Sequence, residues 1–547
     1  MTSATPQCCD AEAVIRPPVR LLAIAVTTVT VVTGCSAGPS TRPPLAVLDA
    51  GMPPPVVSSD ARAGAPVPPP VPPLQAPTAE LSWSDCTLAT LGRLALAPGA
   101  TGLMLECAGI ATPADAAIPT RITLGLLRAR LPQTPAGAAP LVLLSGADEP
   151  ATTVLARLAA GGGGGLLDRG PIIAMDRRGS GRSTPISCLT RAQRAALVDL
   201  DPADPAGTAR ADALRLGELA TLRCRDVLGR ADLTFDAAHA ADDVQTLRSA
   251  LGVQTLAVLG SGGGAQVAVA AAVRAPQRFS RLILDSPTST GADLITTAQA
   301  QARGSEVAFS AFAAACVAAG CPVTDPRQAV LDLAQRARST GGLAASGGRR
   351  VSAGAVLFAV RHALRGDTGQ APAGLGGALA QAQAGDATGL ANLVDDATAG
   401  PVSSASSRGL DAEFVAGCSD AAQRPTPAQV ADLAPGWAQD NPLFGADAAV
   451  RLLLCLSWPT MPAPRALTGL AALPAVLVIG SVSDPVHGAN AARETAAALR
   501  QAGAGAGLLR WQGVGYPVLG SSPCALAAVL RYVTDTGLPE VGTRCPA

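Results

Sequence analysis

The 547-residue chain contains no lysine: all 41 of its basic residues are arginine, balanced by 41 acidic residues to a formal net charge of zero. Without lysine there is no P-loop lysine, no Schiff base to pyridoxal phosphate and no Ser-Lys dyad. Histidine is nearly as scarce. The three present (His239, His362, His487) are scattered, so a polyhistidine metal centre is not expected. Aromatic residues make up 2% of the chain, with only two tyrosines, Tyr516 and Tyr532. Few aromatics and no net positive charge set aside a general nucleic-acid binder. The usage is that of a GC-rich genome, which inflates Ala, Gly and Pro. The run 161–165 of five glycines is therefore not read as a phosphate loop, since neither Lys nor Ser/Thr follows it in the required register. What remains is 48% hydrophobic and 15% charged, a globular composition. Its length suits two or three average domains, or one large α/β domain with an insertion.

The amino terminus reads as an address. Arg16 and Arg20 precede a short apolar stretch, residues 21–32 (LLAIAVTTVTVV), shorter than a spanning helix requires. It ends in Val32-Thr33-Gly34-Cys35, which resembles a bacterial lipobox. That resemblance implies a signal peptide over 1–35, a lipidated Cys35 as first mature residue, and export to the outer face of the plasma membrane. Residues 36–80 are Pro-rich (MPPPVV, PVPPPVPPLQAP) and are expected to form an extended, semi-rigid tether.

Of 13 cysteines, Cys8 and Cys9 leave with the signal and Cys35 is the lipid candidate, leaving ten. An even number in an exported chain implies disulfides, and the absence of any CxxC argues against a redox or metal site. Sequence leaves the connectivity open. Sequential pairing is the expectation: Cys86–Cys107, Cys188–Cys224, Cys316–Cys321, Cys418–Cys455 and Cys524–Cys545. Each would contribute about 2–4 kcal/mol.

From about residue 82 the pattern alternates strand, loop and helix. Short apolar runs at 141–144, 172–175, 255–259, 282–284, 476–479 and 508–511 read as buried parallel strands. Amphipathic segments at 240–251 and 491–502 lie between some of them. After Pro287 only helical patterns appear, including 306–319, 326–339 and 353–364. The expected fold is α/β: a doubly wound, mostly parallel sheet carrying a helical cap insertion. The core is assigned to 81–287 and 456–547 and the cap to 288–455.

Residues 255–287 (TLAVLGSGGGAQVAVAAAVRAPQRFSRLILDSP) read as strand, tight glycine turn, helix and strand. Such a turn is the nucleophile elbow G-x-S-x-G, where the middle residue is exposed on strained backbone. Here the frame is Gly260-Ser261-Gly262-Gly263-Gly264, so the nucleophile position holds Gly262 and Ser261 stands one place early. Further along, Asp176-Arg177-Arg178-Gly179-Ser180-Gly181-Arg182-Ser183, Cys418-Ser419-Asp420, Cys455-Leu456-Ser457-Trp458-Pro459, and the tail from Ser522-Pro523-Cys524 to Cys545 complete a pattern. It resembles the exported actinobacterial α/β-hydrolases of the tripeptidyl aminopeptidase type, over nearly the whole mature chain. The resemblance implies an α/β-hydrolase fold and serine peptidase ancestry. It also implies the same sequential disulfides, a triad acid at Asp484 (in Gly480-Ser481-Val482-Ser483-Asp484) and an oxyanion donor at Gly263.

Three positions depart from that family together. Gly262 has no nucleophilic group. Tyr516, in Gly513-Val514-Gly515-Tyr516-Pro517, stands where the family keeps its base histidine, and a phenol is a poor base at neutral pH. The oxyanion loop reads Ser145-Gly146-Ala147-Asp148-Glu149-Pro150, placing two carboxylates where negative charge would develop. The expectation is a cell-surface lipoprotein that has lost hydrolase chemistry and binds a peptide or envelope ligand. It is expected to be a monomer needing no cofactor or metal and binding no nucleic acid. Two alternatives stand beside it: a working serine hydrolase with a rearranged site (Ser261, Asp484, His487), and a purely structural envelope protein.

Overall fold

The computed structural model describes residues 71–97, 99, 101–161, 163–204, 207–366, 372–398, 409–421, 423–459 and 466–547. The signal peptide, Cys35 and tether residues 36–70 lie outside the described residues.

Twelve strands occur among the described residues: β1 (Ser84–Asp85), β2 (Met104–Asp115), β3 (Ile118–Arg130), β4 (Leu141–Leu144), β5 (Ile172–Met175), β6 (Leu256–Ser261), β7 (Phe279–Asp285), β8 (Leu343–Ala344), β9 (Arg350–Val351), β10 (Val476–Ser483), β11 (Ala506–Val514) and β12 (Arg544–Cys545). Ten form one sheet in the order β1-β2-β3-β5-β4-β6-β7-β10-β11-β12. The β1/β2, β2/β3 and β3/β5 ladders are antiparallel. From β5 to β12 every ladder is parallel.

The central strands are apolar without alternation because helices cover both faces. Val142 and Leu144 join one core with the helices Ala237–Ala250, Gly263–Arg274 and Ala491–Gln501. Leu141 and Leu143 join the other, with Ala151–Gly161 and Pro523–Asp535. Both sheet edges are two-residue strands, a short edge being a poor template for unwanted pairing. Each is stapled, β1 by Cys86–Cys107 and β12 by Cys524–Cys545. The other three sequential disulfides form as well, with all five Cα–Cα distances between 4.7 and 5.8 Å.

Three expectations are revised. The long hairpin β2–β3 was not anticipated from the apolar runs, since much of it is only half-buried. The insertion is not purely helical: β8 and β9 pair antiparallel within it. It also gathers helices from the assigned core. Arg191–Asp199 and Ala209–Leu228 pack on it, through Gly354 against Asp199 and Gly217 against Leu454. Two buried ion pairs fasten the same junction, Arg177–Asp420 at 2.9 Å and Arg194–Asp411 at 2.7 Å.

The end of the expected tether is a strap on the domain. Arg281 Nη1 donates to Pro72 O at 3.1 Å, and the Gln254 and Thr255 amides donate to Gln75 Oε1 at 2.7 and 3.2 Å. Thr78 Oγ1 donates to Gly252 O at 2.8 Å. These partners sit where β6 and β7 begin, the end of the sheet opposite Gly262.

Candidate active site

Gly262 links β6 to the helix Gly263–Arg274 with φ 55° and ψ −121°. The flanking glycines are required by close packing. A Cβ on Gly260 would lie 2.7 Å from Ala265 Cα, and one on Gly264 would overlap the Leu144 carbonyl. Gly262 differs, because what a Cβ there meets is a single side chain. It would overlap the Tyr516 hydroxyl oxygen and lie 2.7 Å from Cζ and 2.8 Å from Cε2. The phenol occupies the volume a side chain at the elbow would need.

Tyr516 follows β11 on a loop held from three directions. Its amide donates to Arg365 O at 3.1 Å, and the Gly515 amide to Ser483 O at 3.4 Å. The Tyr516–Pro517 bond is cis. Just beyond, the Val518 and Leu519 amides donate to the Asp285 carboxylate at 3.1 and 3.0 Å. Tyr516 is 7% exposed. Burial first, then the negative charges of Asp148 and Glu149, push its phenol well above its ordinary value of 10.0, against the opposing pull of Arg365. A phenol so placed stays neutral and supplies no base.

Asp484 follows β10 and is buried. Its Oδ1 accepts the Val486 and His487 amides, both at 2.8 Å, so it caps its own loop. Its Oδ2 stands 3.8 Å from His487 Nδ1, beyond hydrogen-bond length. That Nδ1 is buried with no hydrogen-bond partner. The imidazole instead packs edge-on to Tyr516, with ring centroids 5.1 Å apart at 65°. The fold thus gathers Gly262, Tyr516, His487 and Asp484. Ser261 is buried at the end of β6, paired in register with Asp285. Among the described residues no hydrogen bond joins Ser261 to an imidazole.

At the position expected for an oxyanion donor, a Cβ on Gly263 would lie 2.9 Å from Gly146 Cα. Asp148 Oδ1 folds back over Gly146, where it would overlap an added Cβ. Asp148 faces Arg365 at 3.5 Å, and Arg365 stands 4.0 Å from Glu413. Glu149 pairs with Arg157, while burial raises its pKa. The Asp148 carboxylate thus lies against the Gly146 backbone, which in turn adjoins Gly263.

Two participants were not found from sequence. Arg365, from the insertion, touches both Tyr516 and Asp148. Asp285, ending β7, holds the Tyr516 loop, and burial raises it to about 6 against the amide hydrogen bonds that lower it. A lone Asp closing an apolar strand was the available signal. Neither remaining histidine hydrogen-bonds to Tyr516 or Asp484 among the described residues. His239 Nδ1 lies 3.0 Å from Asp236, and its Nε2 3.3 Å from Asp115. His362 is held neutral, its pKa lowered to about 3 by burial and by Arg365, Arg157 and Arg361.

Residues 165–336 match a family model described as the alpha/beta hydrolase fold, and residues 441–545 one described as TAP-like protein. The chain is similar to serine protease Hip1 of Mycobacterium tuberculosis and of Mycobacterium bovis, each 38% identical over 111 residues, or 20% of this chain and 21% of the relative. It therefore spans about a fifth of the length of the curated relatives it matches. Among solved structures, an esterase from Thermogutta terrifontis has 14% identity and a TM-score of 0.36, covering 78% of this chain and 98% of the other. A proline iminopeptidase from Mycobacterium smegmatis has 16% identity and a TM-score of 0.32, covering 78% and 97%. Likeness that shallow adds nothing to the strand order above. Among the described residues no helix is long and apolar enough to cross a membrane. The strand order, the elbow between β6 and its helix, and the two family matches make the chain an α/β-hydrolase-fold protein with a TAP-like C-terminal segment.

Proposed function

We propose that this protein is a pseudohydrolase: it keeps the scaffold of a serine hydrolase, has given up acyl transfer, and acts by binding a peptide or envelope component at the cell surface. One observation carries the loss of chemistry. The Tyr516 phenol fills the seat of the nucleophile's side chain, over a residue that has none. Acyl transfer needs an activated nucleophile within reach of a base. Gly262 supplies no nucleophile, and the neutral Tyr516 supplies no base. Asp148 over Gly146 opposes oxyanion formation as well. The lipobox-like Cys35 supports a lipid anchor, and five disulfides suit an oxidising compartment.

The test is turnover of aminoacyl and peptidyl chromogenic substrates and short acyl esters by the purified protein, beside fluorophosphonate labelling. The expected result is neither turnover nor label. Turnover that survives both Ser261→Ala and His487→Ala would overturn the reading and demand another nucleophile. Labelling lost on Ser261→Ala would instead establish the rearranged site. For the anchor, Cys35→Ala is expected to move the protein from the membrane fraction to the medium.

A further inference from the structure

A hollow lies on the β2–β3 hairpin, three to four strands from β6. At about 4.8 Å per strand, that is roughly 14–19 Å from the closed elbow. Its volume is about 370 Å³, and its lining includes Ser82, Ser84, Gly109, Thr123, Gly125 and Arg182. That volume falls in the range of small-ligand sites, about 300–1,000 Å³.

The sequence makes this hollow in a specific way. Gly109 and Gly125 are register partners across β2 and β3, so two facing positions carry no side chain. Gly125 cannot be larger. A Cβ there would overlap Arg182 Cβ and lie 2.7 Å from the Arg182 carbonyl carbon. The bare strand lets the loop after β5 lie flat on the hairpin and brings Arg182 to the rim. Among the described residues no carboxylate lies within ion-pair distance of the Arg182 guanidinium. Asp176, at the start of the same loop, is already engaged, its oxygens accepting from the Thr152 amide and hydroxyl and from Arg182's own amide. Besides the disulfide-bonded Cys107 and Ala108, the lining is hydroxyls, glycines and one exposed cation, with no acidic side chain.

We propose that this hollow binds a carboxylate, with Arg182 as its counter-ion and Ser82 and Thr123 as hydroxyl partners. A single unpaired guanidinium matches one negative charge and offers the planar fork that a carboxylate accepts. A phosphate dianion would call for a second cation. The carboxylate comes either from the end of a peptide chain or from a free small acid.

The test titrates the full chain, by amide NMR and calorimetry, with N-acetyl-Ala-Ala, its C-terminal carboxamide, and acetate. The expected result is that N-acetyl-Ala-Ala shifts the Gly109 and Gly125 amides, while the carboxamide binds at least about tenfold more weakly, one decade being about 1.4 kcal/mol. Acetate binding as well as the peptide would make a free acid the source. Peptide binding well above acetate would make it a chain end. Arg182→Gln is expected to lose the same decade, and Ser82→Trp, which fills the hollow while keeping the charge, to abolish binding. Equal binding of acid and amide, unchanged affinity in Arg182→Gln, or no shift with any of the three probes would overturn the proposal. An unfolding midpoint equal to the parent's in both variants shows that the losses are local.

Discussion

The fit of Tyr516 over Gly262 can be measured by a double-mutant cycle. Gly262→Ala places a Cβ on backbone at φ 55°, where a non-glycine residue is strained by roughly 1–2 kcal/mol. The same Cβ runs into a ring whose Cζ is 2.7 Å away. The loop behind that ring is fastened to Asp285 and Arg365, so forced repacking should add about 1–3 kcal/mol. The single variant is thus expected to lose about 2–5 kcal/mol. Tyr516→Ala empties a buried aromatic site and should cost about 3–5 kcal/mol. In the double variant the backbone strain remains and the collision is gone, so the losses fall short of additivity by about 1–3 kcal/mol. Urea unfolding followed by tryptophan fluorescence, with the disulfides kept oxidised, reads all four corners. Strict additivity would mean that the ring swings aside freely, and the claim that it plugs the elbow would fail.

Other expectations follow from the same geometry. Gly262→Ser, Tyr516→His and Asp148→Gly together restore nucleophile, base and open oxyanion space, so the triple variant should take a fluorophosphonate label that none of the singles takes. Asp285 binds its proton near pH 6 when folded and near the ordinary carboxyl value, about 3.9, when unfolded, so its contribution to stability grows as pH falls from about 6 toward 4. Denaturant midpoints across that window should rise less steeply in Asp285→Asn. His362 has the opposite sign. Its folded pKa of about 3 lies below the unfolded value near 6.5, so it costs stability progressively as pH drops through that interval, and His362→Leu should flatten the loss. Asp411→Asn breaks the buried pair with Arg194 and weakens acceptance from the Cys188 and Leu189 amides. It should cost about 3–5 kcal/mol in the unfolding midpoint and raise hydrogen exchange between the insertion and the sheet.

What the sequence disclosed depended on how completely a segment is buried. β4 and β5 were located residue for residue, because strands covered on both faces are written as unbroken apolar runs. The elbow was legible because its outer glycines are forced by Leu144 and Ala265. β2 was not, because it is covered unevenly and contains Gly109 and Pro113, which dilute any alternation. Its turn, Asp115 to Ile118, carries no Asn-Gly or Asp-Gly signal. β1 and β12 are too short to have a pattern. Nothing local ties Arg365 to Asp148 or Tyr516, which lie more than a hundred residues away on either side. Such a contact exists only once the insertion has folded onto the sheet. The substitutions at 262 and 516 were each visible alone. That one fills the space the other leaves was not.

The Cys86–Cys107 staple has a mechanical consequence. Tension arriving along the chain from its N-terminal side meets the strap first, where the bonds of Pro72, Gln75 and Thr78 can peel one after another. Glu80, paired with Arg128 at 2.8 Å, Trp83 beneath the same guanidinium, and the two-residue β1 yield next. At Cys86 the load passes through a covalent bond into β2 and is shared along its whole ladder with β3. A pull from that side would therefore free about fifteen residues, 71–85, before the load reaches the disulfide. The disulfide acts as a ratchet pawl between a segment built to give way and a domain built to hold.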